Sequence, residues 1–367
     1  MRNCSTPEQC TSGGSACSRP YAIVPSAANK RIYAILMGVN DNEKLFAWLS
    51  SMRGKRTVKI LFGVRGIGKT TVFAKWRDMI LADGFPEERL VCVNAEQQIL
   101  RHLVTGDDVL RYLKTQFPET GPVLLLIEEP TSFPDYADLI GKLLANRRLD
   151  LYLALSSSRI LTGELSDYLR GAISVYEMIP PPEGIEGTEE QTRARWNEIM
   201  LRDVLTSPGI VDVMIAERVA AYLADHVGDN ISLRTIAAAI SPPGRLFSPN
   251  TIEAYLTALE RAHLIERCYR WDATHETALK SRYRVYFIDT ALRTARFGFF
   301  PTDGERREEE NRRYIALRRK HPHVYLPGKC DSTRCPEFIT SDSTTNQKPV
   351  GEANAKASSR NGAQLNG

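Results

Sequence analysis

Eight consecutive residues, Gly63-Val64-Arg65-Gly66-Ile67-Gly68-Lys69-Thr70, constrain this chain more than any other stretch. They read G-x-x-x-x-G-K-T, and Thr71 follows them. An apolar run over residues 58–62, broken only by Lys59, comes before, and residues 71–81 carry apolar side chains at helical spacing. Strand, glycine turn and helix in that order separate a phosphate-binding P-loop from a chance glycine turn. Glycines let backbone N–H groups close around phosphate oxygens, because no side chain blocks the approach. A helix starting near Lys69 turns its positive end to the same point. Lys69 is placed to reach the β- and γ-phosphates of a nucleotide, and the Thr70 hydroxyl to ligate Mg²⁺.

The stretches around the loop alternate. Strands are expected at residues 57–62, 89–93, 123–127, 150–155 and 174–179. Helices are expected at 71–81, 97–117 with a break at Thr105-Gly106, and 136–147. Asp107 is the expected cap after that break. Such alternation predicts an α/β fold with a parallel sheet, and the uninterrupted apolar run at 123–127 suits a central strand buried on both faces. Ligands of such sheets sit beyond the carboxyl ends of the strands. Residues 63–71, Glu128-Glu129 and residues 156–158 should therefore share one edge. An acid at the end of the most apolar strand suits Mg²⁺, and a second acid suits orienting or deprotonating water. Glu128 is assigned to the metal and Glu129 to the water. Glu128 stands where Asp is usual, and the extra methylene bears on hydrolysis rate more than on binding. Ser156 is a candidate to touch the γ-phosphate or the water, although serine after a strand is also ordinary turn chemistry.

At 367 residues the chain has room for two or three domains, at about 150 residues each. A net charge of +4 is too small to argue for nucleic acid by itself. No apolar run approaches the ~20 residues that cross a bilayer, and no apolar signal core precedes Pro20, so a cytosolic chain is expected. Residues 1–29 read as a mobile leader, and residues 30–52 as helices packing on the domain that ends at residue 182. Cys92 reads as small apolar filler in a buried strand. Cys330 and Cys335 lack a second Cys/His pair at zinc-finger spacing.

Pro180-Pro181-Pro182 opens a linker running to Gly187. Helices follow at 193–205, 213–226 and 232–240. Another starts at Ser248-Pro249, a capping serine with proline in the first turn. Two strands at 265–271 and 283–288 complete the pattern of a winged helix over residues 188–295. Its last helix is the one that would enter a DNA groove. Arg245, Arg261, Arg267, Lys280, Arg282 and Arg284 favour DNA there, while Glu253 and Glu260 oppose it. From residue 302 mixed charges at high density suit an exposed helix, and two short strands are expected near 324–326 and 337–339. From residue 340 the chain becomes polar and reads as disordered.

Several of these segments together resemble the AAA-type ATPases of bacteria and archaea that join a P-loop domain to a winged helix and a C-terminal domain. They are the P-loop run, Ser156-Ser157-Ser158 with Leu161-Thr162-Gly163-Glu164-Leu165, Leu201-Arg202-Asp203-Val204, residues 248–251 running to Leu264-Ile265, and Phe287-Ile288-Asp289-Thr290-Ala291-Leu292. The resemblance implies ATP held by residues 63–71, Mg²⁺ at Thr70 and Glu128, a slow or regulated ATPase, and homo-oligomers. The family's C-terminal part looks like a restriction-endonuclease fold. Glu310-Asn311 matches its helix acid and Glu337 its strand acid, but no E-x-K strand follows. Residues 296–340 therefore read as a truncated remnant without cleavage activity. Arg170 does not sit where the family's arginine finger would, so none is assigned.

Overall fold

The computed structural model describes residues 39–97, 105–158, 173–244, 246–272, 275, 277–298, 304–327 and 338–340. The leader, the polar tail, Arg170, Arg245 and Glu337 lie outside the described residues.

Five strands build one parallel sheet: β1 (Val58–Phe62), β2 (Leu90–Asn94), β3 (Val123–Glu128), β4 (Leu149–Leu155) and β5 (Ile173–Glu177), in the spatial order β2-β3-β4-β1-β5. All pairings are parallel, with Phe62 level with Leu155 and Glu177, and Glu128 level with Ala154. Strand and helix alternate because side chains alternate along each strand and both faces need cover. Val58, Ile60 and Phe62 pack with Leu125 and Ile127 under α3 (Gly106–Gln116) and α4 (Tyr136–Ala145). Leu61, Leu124, Leu126 and Tyr152 face the other way, under α1 (Val39–Met52) and α2 (Lys69–Ala82). Lys59, the one charge in β1, is buried and paired with Asp150, which keeps the charge tolerable there.

Two sequence expectations are corrected in this half. Thr105, not Asp107, caps α3: its side chain accepts from the N–H of Asp108, which answers with its own carboxylate. Cys92 is exposed on β2, an edge strand, and does not fill the core.

The remaining elements are α5 (Glu189–Ile199), which runs into a π-helical turn (Met200–Val204), then α6 (Val213–Asp225), α7 (Leu233–Ile240) and α8 (Pro249–Arg261). Ser248 caps α8 with Pro249 in its first turn, as the sequence indicates. An antiparallel ribbon, β6 (Ile265–Asp272) and β7 (Thr277–Phe287), follows, then α9 (Thr290–Phe297) and α10 (Gly304–Arg318), and last β8 (Val324–Tyr325) paired with β9 (Ile339–Thr340). The charged stretch in α10 is not simply an exposed helix. Glu308, Glu310, Asn311, Tyr314, Ile315 and Arg318 form a buried face, with Tyr314 stacked on Tyr286 at 4.2 Å between ring centroids. Helical spacing brought these residues to one side, and the charges among them are neutralised by partners such as Arg293 on Glu308.

The helical region closes on the sheet at the end of β1. The His263 ring, held at a left-handed φ of 57°, lies 4.5 Å from the Phe62 ring, and its Nε2 is 3.0 Å from Glu177 at the end of β5. Arg318 spans Glu177 and Glu266. That network pushes the Glu177 carboxyl down to about 2, against the opposing pull of its own burial.

Candidate functional site

Residues 63–70 leave β1 and turn into α2. Gly63 accepts no side chain, because a Cβ there would stand 2.8 Å from the Met178 carbonyl. Gly66 and Gly68 have φ of 85° and 101°, the left-handed region that glycine enters without strain. Gly68 occupies the cap position of α2, and no side chain caps that helix. The first N–H groups of α2 are thus not taken by a capping side chain, which is what an anion at a helix N-terminus uses.

Lys69 folds back into the loop. Its Nζ donates to the carbonyls of Gly63 at 2.8 Å and Val64 at 3.2 Å and to Ser156 Oγ at 2.8 Å. Glu129 Oε1 lies 3.8 Å away. Burial pulls the Lys69 ammonium below its ordinary range, and Glu129 opposes that pull. Glu129 accepts from the Ser156 N–H through Oε2 at 3.0 Å and from the Ser156 hydroxyl through Oε1. Its backbone is left-handed, at φ 50°. Burial raises the Glu129 carboxyl, while Lys69 and Arg65 act to lower it. Glu128 accepts from the Thr70 hydroxyl, and burial raises its carboxyl too.

The structure thus brings Lys69, Thr70, Glu128, Glu129 and Ser156 together at one edge of the sheet. β4 lies between β1 and β3, and this is why Ser156 bridges Lys69 and Glu129. The Val64 and Ile67 side chains are buried in the core. Thr71 donates its N–H to the Gly68 carbonyl. The Arg65 side chain turns to Asp203 and Glu96.

Four neighbours escaped the sequence reading. Asn94, at the end of β2, has Nδ2 3.5 Å from Glu128 Oε2. Glu96 and Asp203 hold Arg65, and the Arg195 stem lies against Gly66. Asp203 belongs to the Leu201-Arg202-Asp203-Val204 run already visible in the sequence, but nothing in the spacing gave its partner.

Residues 55–181 match the family model described as "AAA domain". They form an AAA-type P-loop domain. Its fold is that of the P-loop NTPases, which agrees with the parallel sheet above. Residues 182–303, after the AAA domain, match a "Domain of unknown function (DUF8612)". An uncharacterized protein of Haemophilus influenzae is 22% identical over 311 residues, which is 75% of this chain and 77% of that protein. Among solved structures, Drosophila ORC bound to AT-rich DNA and Cdc6 aligns with 72% of this chain and 93% of its own, at 12% identity and a TM-score of 0.29. Caenorhabditis elegans PCH-2 aligns with 65% of this chain and 73% of its own, at 12% identity and a TM-score of 0.32.

The other sequence candidates lie elsewhere. Glu310, the match to the nuclease-like helix acid, is spent on the fold: its Oε1 accepts from the Tyr286 hydroxyl at 2.7 Å and from Arg284 at 3.1 Å. Asn311 holds both the N–H and the carbonyl of Phe287. Of the cations expected to face DNA, Arg267 is tied to Glu253 and Glu260, and Arg284 to Glu310. The acids on α8 that oppose DNA and the cation that favours it neutralise each other. Among the described residues no group of three or more His, Cys, Asp or Glu is placed to hold a metal, and no helix is long and apolar enough to cross a membrane.

Proposed function

We propose that the AAA domain binds ATP with Mg²⁺ and hydrolyses it to ADP and phosphate, with the cycle felt in the helical region. The observation that carries this reading is the Lys69–Ser156–Glu129 triangle at the mouth of a helix N-terminus that no side chain caps. The left-handed glycines, the α2 N–H groups and an ammonium fit a triphosphate. The Thr70 hydroxyl and the Glu128 carboxylate, already in contact, are a hard oxygen pair suited to Mg²⁺. Bound there, the ion would neutralise charge developing on the phosphates. Lys69 would exchange its loop carbonyls for phosphate oxygens, Ser156 would orient the terminal phosphate or the water, and Glu129 would take the proton from water. Phosphate release by the purified protein, set against Lys69→Ala, tests this. A wild-type rate equal to that of Lys69→Ala would sink it.

A second reading has an observation of its own. Both Glu129 oxygens are engaged by Ser156, and Glu128 replaces the shorter acid, an arrangement suited to holding nucleotide without turning it over. The chain would then be a nucleotide-gated adaptor for protein or DNA. Tight ATP binding with release no faster than Lys69→Ala would select it. The three helices and ribbon over residues 213–287 support a winged-helix reading, and DNA contact would rest on side chains other than Arg267 and Arg284. Assembly into homo-oligomers belongs to the same proposal, and sizing with and without nucleotide tests it.

A further inference from the structure

Arg65 is the third residue of the glycine loop, yet its guanidinium is spent on the helical region. Nε and Nη2 donate to the two Asp203 oxygens at 2.8 Å each, and Nη1 donates to Glu96 at 2.9 Å. Arg65 and Asp203 are both buried. Glu96 stands just past β2, and its other oxygen lies 3.4 Å from Arg202. Arg202 in turn lies 3.4 Å from Glu198 in the last turn of α5. The next loop residue, Gly66, carries a second contact from the same segment. A Cβ there would stand 2.4 Å from Arg195 Cδ, and Arg195 reaches on to Asp289 at 2.7 Å. Two adjacent residues of the phosphate loop are thus held by residues 189–204.

A guanidinium fork on a carboxylate is planar and geometrically demanding. It tolerates small shifts poorly, so it tends to be either made or broken. Phosphates entering the loop fix the backbone that carries Arg65, and an intact fork holds that backbone ready for them, so an occupied loop and a made fork favour each other. We propose that the Arg65–Asp203 pair couples nucleotide occupancy of the loop to the position of residues 189–204, with Asp203 as a positioning residue that acts through Arg65. This rests on the loop taking nucleotide, as proposed above. Coupling is reciprocal: whatever the loop does to the π-helical turn, the turn does to affinity.

The experiment is amide hydrogen exchange over residues 189–204 of the full chain, with and without ADP·Mg²⁺ and ATP·Mg²⁺, beside calorimetric titration of the same nucleotides. In the wild type, nucleotide changes exchange across that segment. Asp203→Asn removes the charge with little change of shape, and Arg65→Lys keeps the charge but not the fork. Each is expected to weaken nucleotide binding by about five- to tenfold, within the usual range of coupling between sites, and to abolish the exchange response. The double variant should be no worse than either single one, since the two residues act as one pair. Nucleotide binding by the wild type without an exchange response in 189–204 overturns the inference, as does a response that survives Asp203→Asn or additive losses in the double variant. If Asp203→Asn fails to fold, Arg65→Lys and the wild-type comparison still decide. A wild type that binds no nucleotide at all is a different result, and it removes the reading of the loop itself.

Discussion

Glu129→Gln should separate gripping nucleotide from hydrolysing it. In the folded protein Glu129 Oε2 accepts from the Ser156 N–H at 3.0 Å, Oε1 accepts from the Ser156 hydroxyl, and Lys69 Nζ lies 3.8 Å away. Glutamine has the same shape. Its carbonyl keeps the Ser156 N–H, and its NH₂ donates to Ser156 Oγ, which has lone pairs for it and for Lys69. What disappears is one negative charge opposite the ammonium. At 3.8 Å and an effective dielectric of ~20 that attraction is worth about 4 kcal/mol gross. Glutamine also escapes the cost of burying a carboxylate, which is of similar size, so the net change in stability should be about 1 kcal/mol or less. For a chain this long that moves the melting temperature by no more than about 2–4 °C. Nucleotide affinity should stay within about threefold, because the loop amides and Lys69 remain. The rate should fall by about 10²- to 10⁴-fold, the usual worth of a general base. Phosphate release under saturating ATP and calorimetric titration measure the two quantities. A rate within threefold of wild type would refute Glu129 as the base. A collapse in affinity at unchanged fold would show that the carboxylate holds the loop instead.

The same buried groups predict the pH profile. The proposed hydrolysis needs Glu129 as carboxylate and Lys69 as ammonium. Burial raises the first and lowers the second, so phosphate release should fail on the acid side above the ordinary 4.5 and on the alkaline side below the ordinary 10.5. In Gly184→Ala a Cβ would meet the Ala291 N at 2.4 Å at a φ of 89°, so this variant should lose more than about 3 kcal/mol in urea unfolding, with the linker pushed off α9. Asn311→Ala leaves both Phe287 backbone groups unpaired in the core and should cost about 2–4 kcal/mol by the same measurement. Metal-dependent DNA cleavage is expected to be absent; cutting that vanishes in Glu310→Ala would overturn that expectation.

The strands around the loop could be read from sequence because each carries its own signal. Apolar runs bounded by turn residues mark β1, β3 and β4, and the five strand positions fall within a residue or two of those found. Parallel pairing of such strands by itself puts the P-loop, Glu128-Glu129 and Ser156 at one edge. Partners were not legible. Arg65 reads from sequence only as one of the residues 63–71 that hold ATP, because it fills an unfixed position of the G-x-x-x-x-G-K-T run and Asp203 lies 138 residues away. Arg267 looked like a cation for phosphates, because Glu253 and Glu260 are recognisable as its acceptors only once β6 lies beside α8. The polar face of α10 misled for a related reason. Charge density read as exposure, yet Arg293, Arg284 and Tyr286 supply the partners that let Glu308 and Glu310 go inside.

Side-chain alternation along β1 ties the packing of the loop to that of the helical region. Val58, Ile60 and Phe62 join the core that α3 and α4 close, within the AAA domain itself. Leu61 faces the opposite core, and that core continues through Val64 and Ile67 of the loop into Ile185, Trp196, Ile199 and Val204. The loop therefore has no separate packing of its own. Two of its variable positions are core residues shared with the helical region, a third is the Arg65 fork, and the glycine between lies under Arg195. Close-packed interiors do not deform smoothly; they shift between arrangements. A ligand that changes the loop must then either leave Val64, Arg65 and Ile67 where they are or move the helices packed on them. On the proposed reading, backbone N–H groups, Lys69 and Thr70 would answer phosphate without disturbing that core, which would leave the middle of the glycine loop for coupling and its ends for binding.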